Sequence, residues 1–275
     1  MIDFLAQLPV VELLTRAVAT ALIIVVVATA VGKLGPVAGG LVAGLPIGLG
    51  PGFYFLLDTG STEFLGQVAT YALLALSATQ VFLTSYMATA RHGFPRMSLS
   101  LAACSWWGTI WLLNALPVTT LSAAFLFIAM TIVTRFVGRR FQIPNAITER
   151  REESFMLLMR AVIGGFLVAS VTVFAPLLGA GLSGILLAFP IGYALISLTI
   201  HAQFGAATVI GVVFSALLGT ISLATFCIVF VIALPGLSPV KALIVGLTAS
   251  VVVTASMMLI SRVSGAPEQQ EKTGA

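Results

Sequence analysis

Apolar segments of about 20 residues follow one another along this chain with only short polar breaks between them. A segment of that length crosses the roughly 30 Å hydrocarbon core of a bilayer as a helix. The whole chain, apart from its ends and one central loop, therefore reads as membrane-embedded. Composition agrees, with 59% hydrophobic and only 8% charged residues, against about 25% charged in soluble domains. The 26 glycines and 12 prolines would break soluble helices, but membrane helices tolerate them because neighbouring helices re-satisfy the freed backbone groups.

The apolar runs place spans near residues 10–33, 36–58, 64–90, 97–116, 117–138, 155–177, 179–201, 204–234 and 238–262. The eighth is long enough to be tilted, kinked at Gly219 or split in two, which keeps ten spans open. The N-terminus has no basic n-region, so the first span reads as retained rather than as a signal peptide. Cys104 and Cys227 lie inside apolar runs and read as small lipid- or core-facing residues, not as a disulfide or a thiolate metal site.

The net charge of +4 is explained first by topology. With the N-terminus outward, Lys33, Arg91, Arg96, Arg135, Arg139, Arg140, Arg150, Arg151, Arg262 and Lys272 all fall on the cytoplasmic side, and Arg16 and Lys241 fall outside. The reverse orientation would violate the positive-inside bias. The tail from Ser264 reads as polar and disordered.

A shift of 144 residues exposes an internal repeat. Leu13-Leu14-Thr15-Arg16-Ala17-Val18 lies over Leu157-Leu158-Met159-Arg160-Ala161-Val162, and Pro46-Ile47-Gly48 over Pro190-Ile191-Gly192. Gly35 meets Gly179, Gly40 meets Gly184 and Pro95 meets Pro239. Twelve of the 36 positions from 13 to 48 are identical, more than the four or so that two unrelated apolar segments would share. The shift equates spans one to four with six to nine and leaves the fifth, Pro117 to Gly138, as an unmatched linker. An odd linker inverts the second copy, so the expected fold is all-α, four-plus-one-plus-four, with inverted topology. The units are residues 1–116, the linker and cytoplasmic loop 117–153, residues 154–262 and a tail 263–275.

Pro46 and Pro190 fall near the middle of spans two and seven, each followed by a glycine, Gly48 and Gly192. A proline removes one helical hydrogen bond and clashes one turn back, so both helices should kink or break there. Broken helices present free backbone groups and half-helix dipoles, the means by which carriers hold polar solutes at the midplane. The alternative is a packing kink. Arg16 and Arg160, one turn inside their helices, read as interfacial snorkelling residues or as paired cationic gates for an anionic solute. Glu12 stands four residues before Arg16, whereas Met156 holds that place before Arg160. His201 closes span seven, and Gln80, Thr84, Ser85, Tyr86 and Asn114 line a cavity or bond between helices. Trp106, Trp107 and Trp111 sit within span four, which suits packing or lipid contact.

No acidic residue falls at the centre of any span, which disfavours a carboxylate proton relay. Phosphate loops, nucleophile elbows and paired histidine ligands are not found, and nothing points to a cofactor, a metal or a nucleic acid.

The Pro-Ile-Gly span and a repeat of slightly over 100 residues carry a resemblance. Leu186-Leu187-Ala188-Phe189-Pro190 followed by Tyr193-Ala194-Leu195-Ile196 resembles small four-helix bacterial membrane proteins of the GlpM-like kind, here duplicated and fused. The resemblance covers one span and implies an inner-membrane protein linked to envelope or export processes.

The reading is a secondary transporter or exporter of a small solute, anionic where the two arginines act as gates, with its site among Pro46, Gly48, Pro190, Gly192, Arg16, Arg160 and His201. A non-transporting scaffold subunit of an envelope or polysaccharide export complex is the rival. An intramembrane enzyme is weakest, because only His92 and His201 offer histidine bases. Partners are the lipid bilayer and the solute.

Overall fold

The structure, a computed structural model of the chain, describes residues 9–31, 45–58, 60–143 and 154–265. Among these residues it is all-helical. The helices are α1 (Val10–Val31), α2 (Leu49–Leu56), α3 (Thr62–Ala90), α4 (Pro95–Leu113), α5 (Thr120–Arg139), α6 (Ser154–Val173), α7 (Ala175–Leu187), α8 (Ile191–Ala233) and α9 (Pro239–Gly265). Five stretches are long and apolar enough to cross a membrane: Val10–Val27, Thr62–Ala90, Thr120–Arg139, Ala175–Ala233 and Pro239–Ile260. This is a multi-pass membrane protein.

Local chemistry sets the helix ends. Ser61 accepts a hydrogen bond from the Phe64 N–H at 3.1 Å and caps α3. Thr119 and Ser122 form a reciprocal capping box at the start of α5. Pro95 and Pro239, equivalent under the 144-residue shift, each occupy the first position of their helix, where a missing N–H costs nothing.

The long apolar stretch Ala175–Ala233 is broken three times. Gly179 (φ 71°) and Gly205 (φ 80°) adopt backbone angles closed to residues with a Cβ, and between them the helix stops at Ala188–Pro190. The break at Gly205 separates the seventh apolar run from the eighth without any loop. Gly219, weighed from the sequence as a kink, lies buried inside continuous helix; with its φ and ψ helical, nothing there releases the backbone ladder.

α3 is the centre of the bundle: 78% of its membrane window is buried, against 17% for α1 and 22% each for α5 and α9. It packs against α4, α5, α7 and α8. The Leu234 side chain stands over Gly66 at one end, and Gln80 bonds to Thr220 nearer the other. α3 therefore runs antiparallel to the second half of α8. α1 pairs with α6, and α9 with α8. The α1–α6 contact is close because Gly165 has no side chain: a Cβ there would stand 2.5 Å from the Ala17 carbonyl oxygen.

One polar network ties the centre. Gln80 donates to Thr131 at 2.7 Å and Thr220 at 3.1 Å, and Thr134 donates to its carbonyl oxygen at 3.1 Å. All four are satisfied, as burial in lipid requires, since an unpaired polar group there costs several kcal/mol, on the order of 2–7. Gln80 thus bonds between helices rather than lining a cavity. Thr84 bonds back to its own helix, and Asn114 caps α4. Trp106 is buried, whereas Trp107 and Trp111 are exposed on the outer surface. Cys227 is buried and Cys104 exposed.

The positions of Gly35 and Gly40, the loop 144–153 and the tail beyond Gly265 lie outside the described residues.

Candidate functional site

Both proline segments are broken, and they break in the same way. The Ile47 N–H donates to the Leu45 carbonyl at 2.7 Å, and the Ile191 N–H donates to the Phe189 carbonyl at 2.7 Å. Each bond closes a three-residue turn with the proline at its centre, and Pro190 at φ −77°, ψ 45° is near the inverse γ-turn geometry. The next bond also repeats, Gly50 N–H to Pro46 at 2.7 Å and Ala194 N–H to Pro190 at 2.8 Å. Every pair obeys the 144-residue shift, although hydrogen bonds played no part in finding it.

α2 and α8 start from these turns. Neither has a side-chain cap, so the first N–H groups of both helices lack the acceptor that Ser or Thr would supply.

A cavity of about 100 Å³ lies between the two breaks. Six pairs of its lining residues are equivalent: Leu45 with Phe189, Ile47 with Ile191, Gly48 with Gly192, Leu49 with Tyr193, Ile24 with Val168 and Thr79 with Leu223. The space is small because hydrophobic side chains fill most of the region, and it persists because Gly48 and Gly192 withhold two. A Cβ on Gly48 would approach only Val168, at 4.0 Å, and one on Gly192 only Arg160, at 3.6 Å from Nε.

The carbonyls expected to be free at the breaks are engaged. Leu45 and Phe189 accept from the turn N–H groups, Pro46 and Pro190 from the first helical turn, and Ala188 faces the Thr79 hydroxyl at 3.4 Å. Thr79 in turn accepts from Trp106 Nε1 at 3.3 Å, and the Trp106 ring meets Phe189 edge to face at 5.0 Å. The tight turns consume acceptors that a gentle kink would have left open, and they do so with N–H groups from the starts of α2 and α8, those of Gly50, Ile191 and Ala194.

The cavity gathers Gly48, Pro190, Gly192 and Arg160 from the expected residues. Pro46 shapes its turn without contributing to the wall. Arg16 and His201 stand apart from it. Arg16 bonds to Glu12 one turn earlier and lies over the Phe55 ring at 5.2 Å. Met156 cannot hold Arg160 in that way, and Arg160 reaches the cavity. His201 is ten residues into α8, about 15 Å from its start, where its Nδ1 lies 3.2 Å from the Tyr86 hydroxyl. Tyr86 donates to the Ser197 carbonyl at 3.0 Å.

That last contact also has a counterpart. Tyr86 and Ser197 correspond under the shift to Phe230 and Phe53, whose rings meet at 5.0 Å. Phe53 also meets Phe226 at 5.3 Å, and all three rings are fully buried. One end of the bundle is thus closed by aromatic rings and the equivalent place at the other end by a hydrogen bond. Beyond the polar closure, on the face carrying Arg96, a groove of about 740 Å³ is lined by Phe94, Met97, Met159, Leu198 and Gln203.

Tyr193 and Thr79 were not anticipated. Tyr193 adjoins the Pro-Ile-Gly triplet, but its counterpart is Leu49, so the repeat gave no signal; Thr79 is one of several hydroxyls in α3.

Fold and cavity together define an all-helical, multi-pass membrane protein with two proline-broken segments facing one internal space. Comparisons with protein-family models, with curated proteins and with solved structures return no match.

Proposed function

We propose that the chain is a secondary carrier for a small solute, with its site in the cavity between the two proline breaks. The observation that carries this reading is the cavity's wall: six pairs of its residues are equivalents of the two sequence repeats, met across a point where both helices are unwound. Carriers built from inverted repeats place their sites in this way.

Inverted topology has support of its own. Equivalent helices facing each other across a two-fold axis in the membrane plane must run antiparallel, as α3 and the second half of α8 do. A residue on such an axis touches its own counterpart, as Gly165 touches Ala21. On this reading the described helices belong to nine spans, four plus one plus four. The charge pattern puts the N-terminus outside and the arginine-rich loops in the cytoplasm of a bacterial inner membrane. The resemblance to GlpM-like proteins fits that location, and the chemistry is translocation rather than catalysis.

The test is solute flux in sealed vesicles holding the purified protein. Isosmotic swelling in small charged and neutral solutes should depend on the protein and be abolished by Gly192→Leu, which fills the cavity. Vesicles that stay tight to every solute would instead favour the scaffold.

A further inference from the structure

Resting on the carrier reading, we infer that the cavity between the proline breaks is an anion site, and that the solute is a compact monovalent anion. Four features converge there. Among the described residues of the wall, Arg160 is the one charged side chain and none is a carboxylate. Tyr193, 7% exposed, places a phenol in the same wall whose hydroxyl has no hydrogen-bond partner, and Arg160 lies against Gly192, the residue before Tyr193. The N-termini of α2 and α8 both open on the space through Gly48, Leu49, Gly192 and Tyr193. Neither start has a side-chain cap, and each brings a partial positive charge of about half a unit.

The acceptors tell the same story. The carbonyls of Leu45, Pro46, Ala188, Phe189 and Pro190 each receive a hydrogen bond already, so a cation would have to share every one of them. Among the described side chains of the wall, what is left without a partner is a donor, the Tyr193 phenol. A donor without an acceptor in a low-dielectric interior is costly, and an anion relieves it. Guanidinium suits an oxyanion because its planar N–H fork can bind two oxygens together.

Size narrows the class. About 100 Å³ is well under the roughly 300–1,000 Å³ of pockets for drug-sized ligands. Nitrate and formate have the right charge, the right acceptors and few enough atoms. A phospholipid or a sugar phosphate does not fit.

The probes are nitrate and formate, with acetamide as a neutral solute of similar size and methylammonium as the cation. Trp106, packed on Phe189 at the edge of the cavity, reports binding by its fluorescence. Flux is read as swelling of vesicles in isosmotic potassium salts with valinomycin. Nitrate or formate should quench fluorescence saturably and enter vesicles, acetamide and methylammonium should do neither, and Arg160→Gln should weaken binding at least tenfold. Arg160→Lys should restore part of it, and Tyr193→Phe, which removes only the hydroxyl, should weaken it several-fold. Entry of acetamide or methylammonium, blocked by Gly192→Leu, with anions excluded would overturn the anion inference and leave the carrier standing. Anion binding lost in Arg160→Gln but with no flux would keep the anion site and overturn the carrier. Wild-type anion binding in both Arg160→Gln and Tyr193→Phe would remove the site from this cavity.

Discussion

Gly165 packs against Ala21, its own counterpart 144 residues earlier, so closely that a Cβ on the glycine would stand 3.2 Å from the Ala21 nitrogen and 3.3 Å from the Ala21 Cβ. The Ala17 carbonyl is closer still, at 2.5 Å, and it is backbone, which cannot swing aside. Gly165→Ala should therefore force α1 and α6 apart and destabilise the fold by about 1–3 kcal/mol. Gly108, with nothing within 4 Å, gives the control: Gly108→Ala should melt like wild type. Melting can be followed through the buried thiol of Cys227, with Cys104→Ser as background. Equal melting of the two variants would mean that the helices do not meet at Gly165.

Loss of Gln80 should be gentler. Its partners Thr131, Thr134 and Thr220 also bond to carbonyls of their own helices at 2.7–2.8 Å, so Gln80→Leu strands none of them. Interhelical hydrogen bonds in membranes are worth only about 0.6 kcal/mol on average. The same thiol assay should show a small drop in Gln80→Leu, less than that of Gly165→Ala. A larger drop would show that the network, rather than backbone packing, organises the centre of the bundle.

Gly48→Leu and Gly192→Leu separate packing from function. Neither position is crowded by backbone, with only Val168 at 4.0 Å and the flexible Arg160 at 3.6 Å nearby. Both variants should melt close to wild type and lose flux, because the new side chain occupies the cavity. Retained flux in both would remove the solute path from between the breaks.

Orientation is testable with single cysteines in a Cys104→Ser background. Glu63, in the first turn of α3, and His92, just past its end, are both exposed and stand at opposite ends of that helix. With the N-terminus outward, an impermeant maleimide added to intact cells should label Glu63→Cys and leave His92→Cys untouched. The opposite pattern would invert the topology.

What the sequence made legible was periodic or paired. Long apolar runs locate helices because lipid leaves the backbone no other partner, and Pro46 and Pro190 announce their breaks because proline lacks the N–H on which a helix depends. The kind of break was not legible. Whether a proline bends a helix or winds it into a tight turn depends on what packs beside it, here Thr79 beneath Ala188 and Trp106 against Phe189. The separation of Arg160 from Arg16 was half-written, in Met156 against Glu12; the Phe55 ring that holds Arg16 came from another helix. His201 looked like a member of the site because it is polar and in the right span, but helix rise carries it about 15 Å away.

The pairing of Tyr86–Ser197 with Phe230–Phe53 makes the two ends of the bundle unequal doors. Parting the first exchanges one hydrogen bond for bonds to water, a net cost of about 0.5–1.5 kcal/mol, and wets one buried ring, Tyr86. Parting the second wets Phe53, Phe226 and Phe230, aromatic side chains that bury roughly 150–250 Å² each. Exposing even a third of that area costs about 4–6 kcal/mol at 25 cal/mol per Å². On the carrier reading this difference acts as a bias that favours opening toward the arginine-rich face, and the opposite door swings only when something bound in the middle repays its rings for meeting water.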